Sequence, residues 1–238
     1  MNENRQYVQK SEIIDLINPQ PHVPEKMCVY SNIKCNFLDD IPHRIGSVGA
    51  ILQGQPIICG GYKSPNFCQD CFIIGQPSIK MNMLNKRTSA SSVVLNQNTL
   101  WIVGGRDGEF DHLCSTEYVK LGQLPVQGPE LPFKISSHCM VKYSDNAIYI
   151  IGGIQNGIIS NKTWIVDPSN GFKMTLGPSL NTQRHGHSCG KMIANGKIIL
   201  VVAGGSDVSS LNYLKSVEIL DPSSGQGWIS GTIRGFSG

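Results

Sequence analysis

The sequence predicts an all-β fold, a β-propeller assembled from four-stranded antiparallel blades. Three observations carry that expectation. An apolar run ending in two consecutive glycines recurs four times: PIICGG (Pro56 to Gly61), TLWIVGG (Thr99 to Gly105), IYIIGG (Ile148 to Gly153) and KIILVVAGG (Lys197 to Gly205). The first glycines, Gly60, Gly104, Gly152 and Gly204, stand 44, 48 and 52 residues apart, and a period near 50 marks a repeated supersecondary unit. No window sustains the i, i+3, i+4, i+7 apolar spacing that a helix needs.

Composition agrees with one domain of this kind. The chain has 238 residues, a usual size for a single all-β propeller. Its 26 glycines, about twice the average share, fit many tight turns. The net charge of +3 is spread evenly, which argues against a nucleic-acid or membrane partner. No apolar run approaches the ~18 residues of a transmembrane helix. The opening MNENRQYVQKSEIIDL lacks the basic and apolar regions of a signal peptide.

Along the chain, each glycine pair is followed by a polar loop and then another strand motif. The motifs are SEIIDL (Ser11 to Leu16), CQDCFIIG (Cys68 to Gly75), STEYVKLG (Ser115 to Gly122), KTWIVDP (Lys162 to Pro168) and SVEILDP (Ser216 to Pro222). The first has no glycine pair ahead of it, so the chain opens inside a repeat. The expected boundaries are a tail at 1–10, a half blade at 11–36, blades at 37–85, 86–127, 128–176 and 177–231, and the start of a further blade at 232–238.

The turns leading into the blades alternate in character. Ile41-Pro42-His43-Arg44-Ile45 aligns with Leu131-Pro132-Phe133-Lys134-Ile135, whereas MLNKRTSASSV (Met83 to Val93) resembles SLNTQRHGHSC (Ser179 to Cys189). That alternation points to duplication of a two-blade block. A lone four-stranded meander cannot bury both faces, and radial stacking of such units solves this. The pairs Gly60-Gly61, Gly104-Gly105, Gly152-Gly153 and Gly204-Gly205 are then expected where neighbouring blades crowd and a Cβ would obstruct.

The glycine pair, the polar loop, the (S/T)-x-E-x-x-D-P strand and a tryptophan near a GP-x-LP turn together resemble the kelch repeat, from Ser11 to Gly231. Tyr118 fills the tyrosine slot of that repeat, with Phe72, Ile165 and Ile219 in its place elsewhere. Trp228 fills the tryptophan slot, where earlier repeats have Pro125 and Met174; Trp101 and Trp164 read as core residues. The resemblance implies a six-bladed ring, so the chain reads as an incomplete part of one, the alternative being a smaller complete ring.

No catalytic constellation stands out, and neither a cofactor nor a metal is expected. Cys68-Gln69-Asp70-Cys71 is a CxxC without a second pair at zinc-site distance. Cys59 and Cys71 flank the Ser64-Pro65-Asn66 turn almost symmetrically and are disulfide candidates, as are Cys28 and Cys35. Cys139 and Cys189 read as small core residues. His138, His185 and His187 are expected to hydrogen-bond the turns between blades. Asn161-Lys162-Thr163 is a glycosylation triplet that matters only in a secreted chain.

The expected function is non-enzymatic protein binding, as an adaptor or scaffold, through loops at a propeller face. The first-choice contact loop is Arg106-Asp107-Gly108-Glu109-Phe110-Asp111-His112, which mixes charge with an aromatic; an ordinary solvated loop is the alternative. The partner protein is unidentified. Kelch propellers with a BTB domain serve ubiquitin ligases, so resemblance alone allows that role. A secreted propeller with glycan-binding or copper-radical-oxidase-like activity is the second reading. Absence of signal-peptide features leans cytoplasmic, while eight cysteines lean towards secretion.

Overall fold

The computed structural model describes residues 44–74, 76–108, 111–207 and 213–232. The half blade at 11–36, Cys28, Cys35, Glu109 and Phe110 lie outside the described residues. Within them the chain is all-β, with a single 3₁₀ turn at Pro168–Asn170 and no α-helix.

Four antiparallel sheets follow one another, each a four-stranded meander. The first comprises Val48–Leu52, Gln55–Cys59, Asp70–Ile73 and Gln76–Asn82. The second comprises Ser91–Asn96, Thr99–Val103, Thr116–Val119 and Val126–Gln127. The third comprises Cys139–Ser144, Ala147–Ile151, Thr163–Asp167 and Lys173–Leu176. The fourth comprises Ser188–Ala194, Lys197–Ala203, Ser216–Leu220 and Ile229–Thr232. Every glycine pair directly follows the second strand of its sheet.

The second strands of the two middle sheets are apolar at nearly every position because both of their faces are covered, whereas those of the first and fourth sheets keep exposed positions. Three clusters join successive sheets. Ile57, Cys59 and Ile73 of the first sheet meet Leu100, Ile102 and Val119 of the second. Trp101 and Val103 meet Ile148, Ile150 and Val166 of the third. Tyr149 and Ile151 meet Leu200, Val202, Leu220 and Trp228 at the fourth. Trp101 and Trp228 are buried, the Trp228 indole donating to the Pro178 carbonyl at 3.0 Å. Ile219 and Ile229, on the other face of the fourth sheet, remain exposed, and no sheet closes into a ring among the described residues.

The glycine pairs stitch the stack. The N–H of Gly61 donates to Arg87 O, that of Gly105 to Ile135 O, and that of Gly153 to Arg184 O, each at 2.8 Å. A Cβ on Gly104 would lie 2.3 Å from Ile135 O, and one on Gly60 would lie 2.5 Å from Arg87 O. Both glycines also hold positive φ, 60° and 66°, where L side chains are strained. The close approach of the next sheet therefore demands glycine.

Each acceptor carbonyl belongs to a turn with one geometry throughout. Arg44, Arg87, Ile135 and Arg184 are equivalent, each two residues before a positive-φ residue: Gly46, Ser89, Ser137 and Gly186. This corrects the alignment on proline, because Arg44 matches Ile135 and not Lys134. The tyrosine slot is corrected too. Tyr118 pairs with Trp101 three residues before its glycine pair, and Ile73 pairs with Ile57 at the equivalent place. Phe72 occupies the position of Glu117 instead.

That position carries an ion pair missing from the sequence-based expectations. The Arg87 guanidinium donates to Glu117 Oε1 at 2.5 Å and to Gly104 O at 2.6 Å. Arg184 repeats this with Glu218 Oε1 at 2.8 Å and Gly204 O at 2.8 Å. All four side chains are essentially sealed from solvent. The carboxylates also accept backbone N–H groups, from Leu84 at 2.6 Å and from Asn181 at 2.6 Å. In the first sheet the acid sits two residues earlier. Arg44 grips Asp70 through both nitrogens at 2.6 and 2.7 Å, and its guanidinium lies over the Phe72 ring.

Candidate functional site

The loops after the glycine pairs gather at the ends of the sheets where the second strands finish. The first, Tyr62 to Gln69, closes as a two-residue-per-strand hairpin, Tyr62–Lys63 against Asn66–Phe67, with the two rings 5.1 Å apart. The third forms a similar hairpin, Ile154–Gln155 against Ile158–Ile159, that also pairs with Ile135–Ser136. Each of the first three loops is tied to the lead-in turn of its own sheet and, at its end, to that of the next. The position of these three loops is thus fixed at both ends.

The Arg106 to Cys114 loop shows the arrangement most fully. Arg106 exchanges backbone bonds with Thr88, at 2.8 and 2.9 Å, and bridges to His112. Leu113 donates to Gly105 O at 2.9 Å and accepts from Ile135 N at 3.0 Å. The His112 ring meets the Ser136 hydroxyl through Nδ1 at 2.8 Å. Burial lowers the pKa of His112, with Arg106 and Lys134 adding to the effect, so the ring favours its neutral form. Asp107, Asp111, His112 and Lys134 line an open hollow of about 290 Å³ that includes the free thiol side chain of Cys114.

Of the loop residues expected to make contacts, the structure therefore brings Asp107, Asp111 and His112 to one hollow and places Arg106 at the loop's base. Lys134 joins the hollow from the lead-in turn of the next sheet, where the buried Ser136 also holds His112, and the sequence offered no sign of this because they are distant in the chain. A larger hollow of about 710 Å³ lies at the opposite strand ends, among Gln53, Asn96 and Asp145. It is formed by tips of tight hairpins and gathers fewer ionisable groups.

The expectation that the histidines hydrogen-bond the turns is corrected for two of them. His138 and His187 take equivalent places, one residue before the third and fourth sheets begin; the His138 ring has no hydrogen-bond partner, and the His187 ring meets the Ile151 backbone of the third sheet, not a turn. Both are buried because they pack under the glycine pair of the third sheet: a Cβ on Gly153 would touch His138 and one on Gly152 would touch His187. Burial drives their pKa values down to about 3 and about 4, with His187 adding to the shift of His138 and Arg184 to that of His187, where the Ile151 backbone acts in the opposite sense. Among the described residues no group of three His, Cys, Asp or Glu side chains is placed to hold a metal.

Cys59 and Cys71 face one another in the ladder and are joined by a disulfide, S–S 2.04 Å. Cys139 and Cys189 are joined as well, with Cα atoms 6.0 Å apart. This corrects their reading as small core residues. Cys139 opens the first strand of the third sheet and Cys189 is the second residue of the first strand of the fourth, so the two side chains take opposite faces and sheet stacking brings the sulfurs together. Cys68 of the CxxC remains a thiol.

Compared with protein-family models and with curated proteins, the chain matches none.

Proposed function

We propose that the chain is a run of kelch-type propeller blades acting as a non-enzymatic protein-binding module, with the loops after the glycine pairs as its contact surface. The observation that carries this reading is the hollow lined by Asp107, Asp111, His112 and Lys134. It combines charges of both signs on backbone held at both ends, which is the kind of pre-organised polar surface that recognises a protein segment by complementary charge. The stacked four-stranded sheets, the glycine stitches and the repeat length support the propeller. Adaptor or scaffold roles, including service to a ubiquitin ligase, fit the same surface through family resemblance alone.

The two disulfides favour placing this module in an oxidising compartment, because such bonds persist there and are reduced in the cytosol. That shifts the balance from an intracellular adaptor to an extracellular binding propeller. The test is affinity capture with the full chain and with a D107A/D111A/H112A variant of matched stability. A protein held by the parent and lost with the variant supports the reading. Equal capture by both chains, or a captured protein still bound when the loop is changed, sinks the assignment to this loop.

A further inference from the structure

We infer that Asn161 is an N-glycosylation site whose glycan stands on the same face as the candidate binding loops. The inference rests on the oxidising-compartment reading. Asn161-Lys162-Thr163 is the one Asn-x-Ser/Thr triplet in the sequence, and the triplet alone says little. The structure adds three observations.

Asn161 is exposed, between the Ile158–Ile159 hairpin strand and the Thr163–Asp167 strand, at the end of the loop that follows Gly153. Its Nδ2 donates to the Leu180 carbonyl at 3.1 Å. A primary amide has two N–H groups and a glycosylated amide keeps one. One N–H therefore remains after modification to serve the Leu180 carbonyl.

The third observation concerns Thr163. Its side chain is fully buried and its hydroxyl has no hydrogen-bond partner. At the equivalent place in the second sheet the Thr116 hydroxyl donates to Pro129 O at 2.8 Å, and in the fourth sheet the residue is Val217. Packing at this slot thus accepts valine, and the fold makes no use of the Thr163 hydroxyl. Oligosaccharide transfer does require it. Because the hydroxyl is sealed in the folded sheet, transfer precedes closure of the third sheet, during translocation, in the compartment where the disulfides form.

In the transfer the anomeric C–O bond of a lipid diphosphate-linked oligosaccharide breaks and a C–Nδ2 bond forms on Asn161. The lipid diphosphate departs with the bonding electrons, and one amide proton passes to the transferring enzyme. The experiment is production of the full chain behind a secretory leader in eukaryotic cells. Intact mass and non-reducing peptide maps are then compared with and without peptide N-glycosidase. One glycan is expected, removed by the enzyme with conversion of Asn161 to aspartate. The T163V chain should lack it while keeping the Cys139–Cys189 bond and the parent's circular dichroism. A disulfide-bonded parent chain with unmodified Asn161 overturns the site and leaves the compartment reading intact. A glycan on a chain with free Cys139 and Cys189 supports the site and overturns the compartment reading.

Discussion

In the second sheet the residue two places before the left-handed turn is Arg87, and its partner in the third strand is Glu117; in the third sheet the same places hold Ile135 and Trp164. Both carbonyls, Arg87 O and Ile135 O, accept a glycine N–H at 2.8 Å. The backbone stitch between sheets therefore does not depend on which side chain follows it. What changes is how the first glycine's carbonyl is served. Gly104 O accepts from the Arg87 guanidinium, whereas Gly152 O accepts from Gln155 Nε2 at 3.3 Å. The Trp164 indole in turn donates to Gln155 Oε1 at 3.4 Å and packs on Phe133. One position of the repeated sheet can hold either a buried charge pair or an aromatic cluster, provided the neighbouring polar groups find partners.

The largest effect should come from breaking the charged version by halves. Glu117→Leu leaves Arg87 buried and unpaired, and should cost about 3–5 kcal/mol in denaturant unfolding. The double change Arg87→Met with Glu117→Leu converts the site towards the chemistry of the third sheet. It should cost only about 1–3 kcal/mol, for the Leu84 N–H left without its acceptor. A double variant as unstable as the single one would mean that the charge pair itself holds the sheets.

Acid should separate the halves of the molecule next. The places of His138 and His187 are taken by Ser47 and Ala90 in the first two sheets. Both histidines have folded pKa values below the unfolded value of about 6.5. The unfolded chain thus binds protons first, so stability is complete above about pH 6.5 and falls as pH drops towards about 4 and then 3. The slope is on the order of 1.4 kcal/mol per pH unit for each histidine. Hydrogen exchange at pH 5 should show the third and fourth sheets opening before the second. H138A/H187A should flatten the pH dependence; an unchanged slope would refute the assignment.

Glycine substitutions give a smaller contrast. Gly153 and Gly157 have nearly the same φ, 83° and 82°, so both strain a side chain. Only Gly153 is crowded, with His138 Cβ 2.6 Å from an added Cβ, whereas nothing lies within 4 Å of Gly157. Gly153→Val should therefore cost about 1–3 kcal/mol more than Gly157→Val. Equal melting temperatures would remove the packing role of the pair.

The smallest effect expected is between Gly104→Ala and Gly204→Ala. Gly104 abuts Ile135 O at 2.3 Å, while the nearest atom to a Cβ on Gly204 is Leu214 O at 3.8 Å. Gly204→Ala should show backbone strain alone, roughly 1 kcal/mol, and Gly104→Ala measurably more by thermal unfolding. Equal losses would mean that neighbouring sheets do not set the requirement for glycine.

The strands and their order were legible because apolar runs ending in Gly-Gly recur at one period, and period and turn chemistry are local. The pairing of Cys59 with Cys71 could be seen as a candidate for the same reason, since a single hairpin sets the register. Arg87 and Glu117 left a signal that could have been used: an arginine four residues before a first strand, with Ser-x-Glu or Ser-Thr-Glu in the third strand, occurs in both the second and fourth repeats. The proline alignment obscured it by shifting Arg44 one residue out of register. Half of the candidate hollow was visible as a charged loop. Lys134, and the Ser136 hydroxyl that holds His112, arrive from the lead-in turn of the next sheet.

Sequence alone determined the all-β class, the four glycine-terminated second strands and the blade-sized repeat, because each rests on residues close together in the chain. Only the tertiary structure decided what meets across the sheet interfaces. Cys139 and Cys189 lie 50 residues apart and bond because successive first strands lie side by side. His138 and His187 are buried under the third sheet's glycine pair, and Arg184 finds Glu218 across 34 residues. These contacts depend on how far one sheet is rotated and shifted against the next, a quantity that no local run of residues encodes.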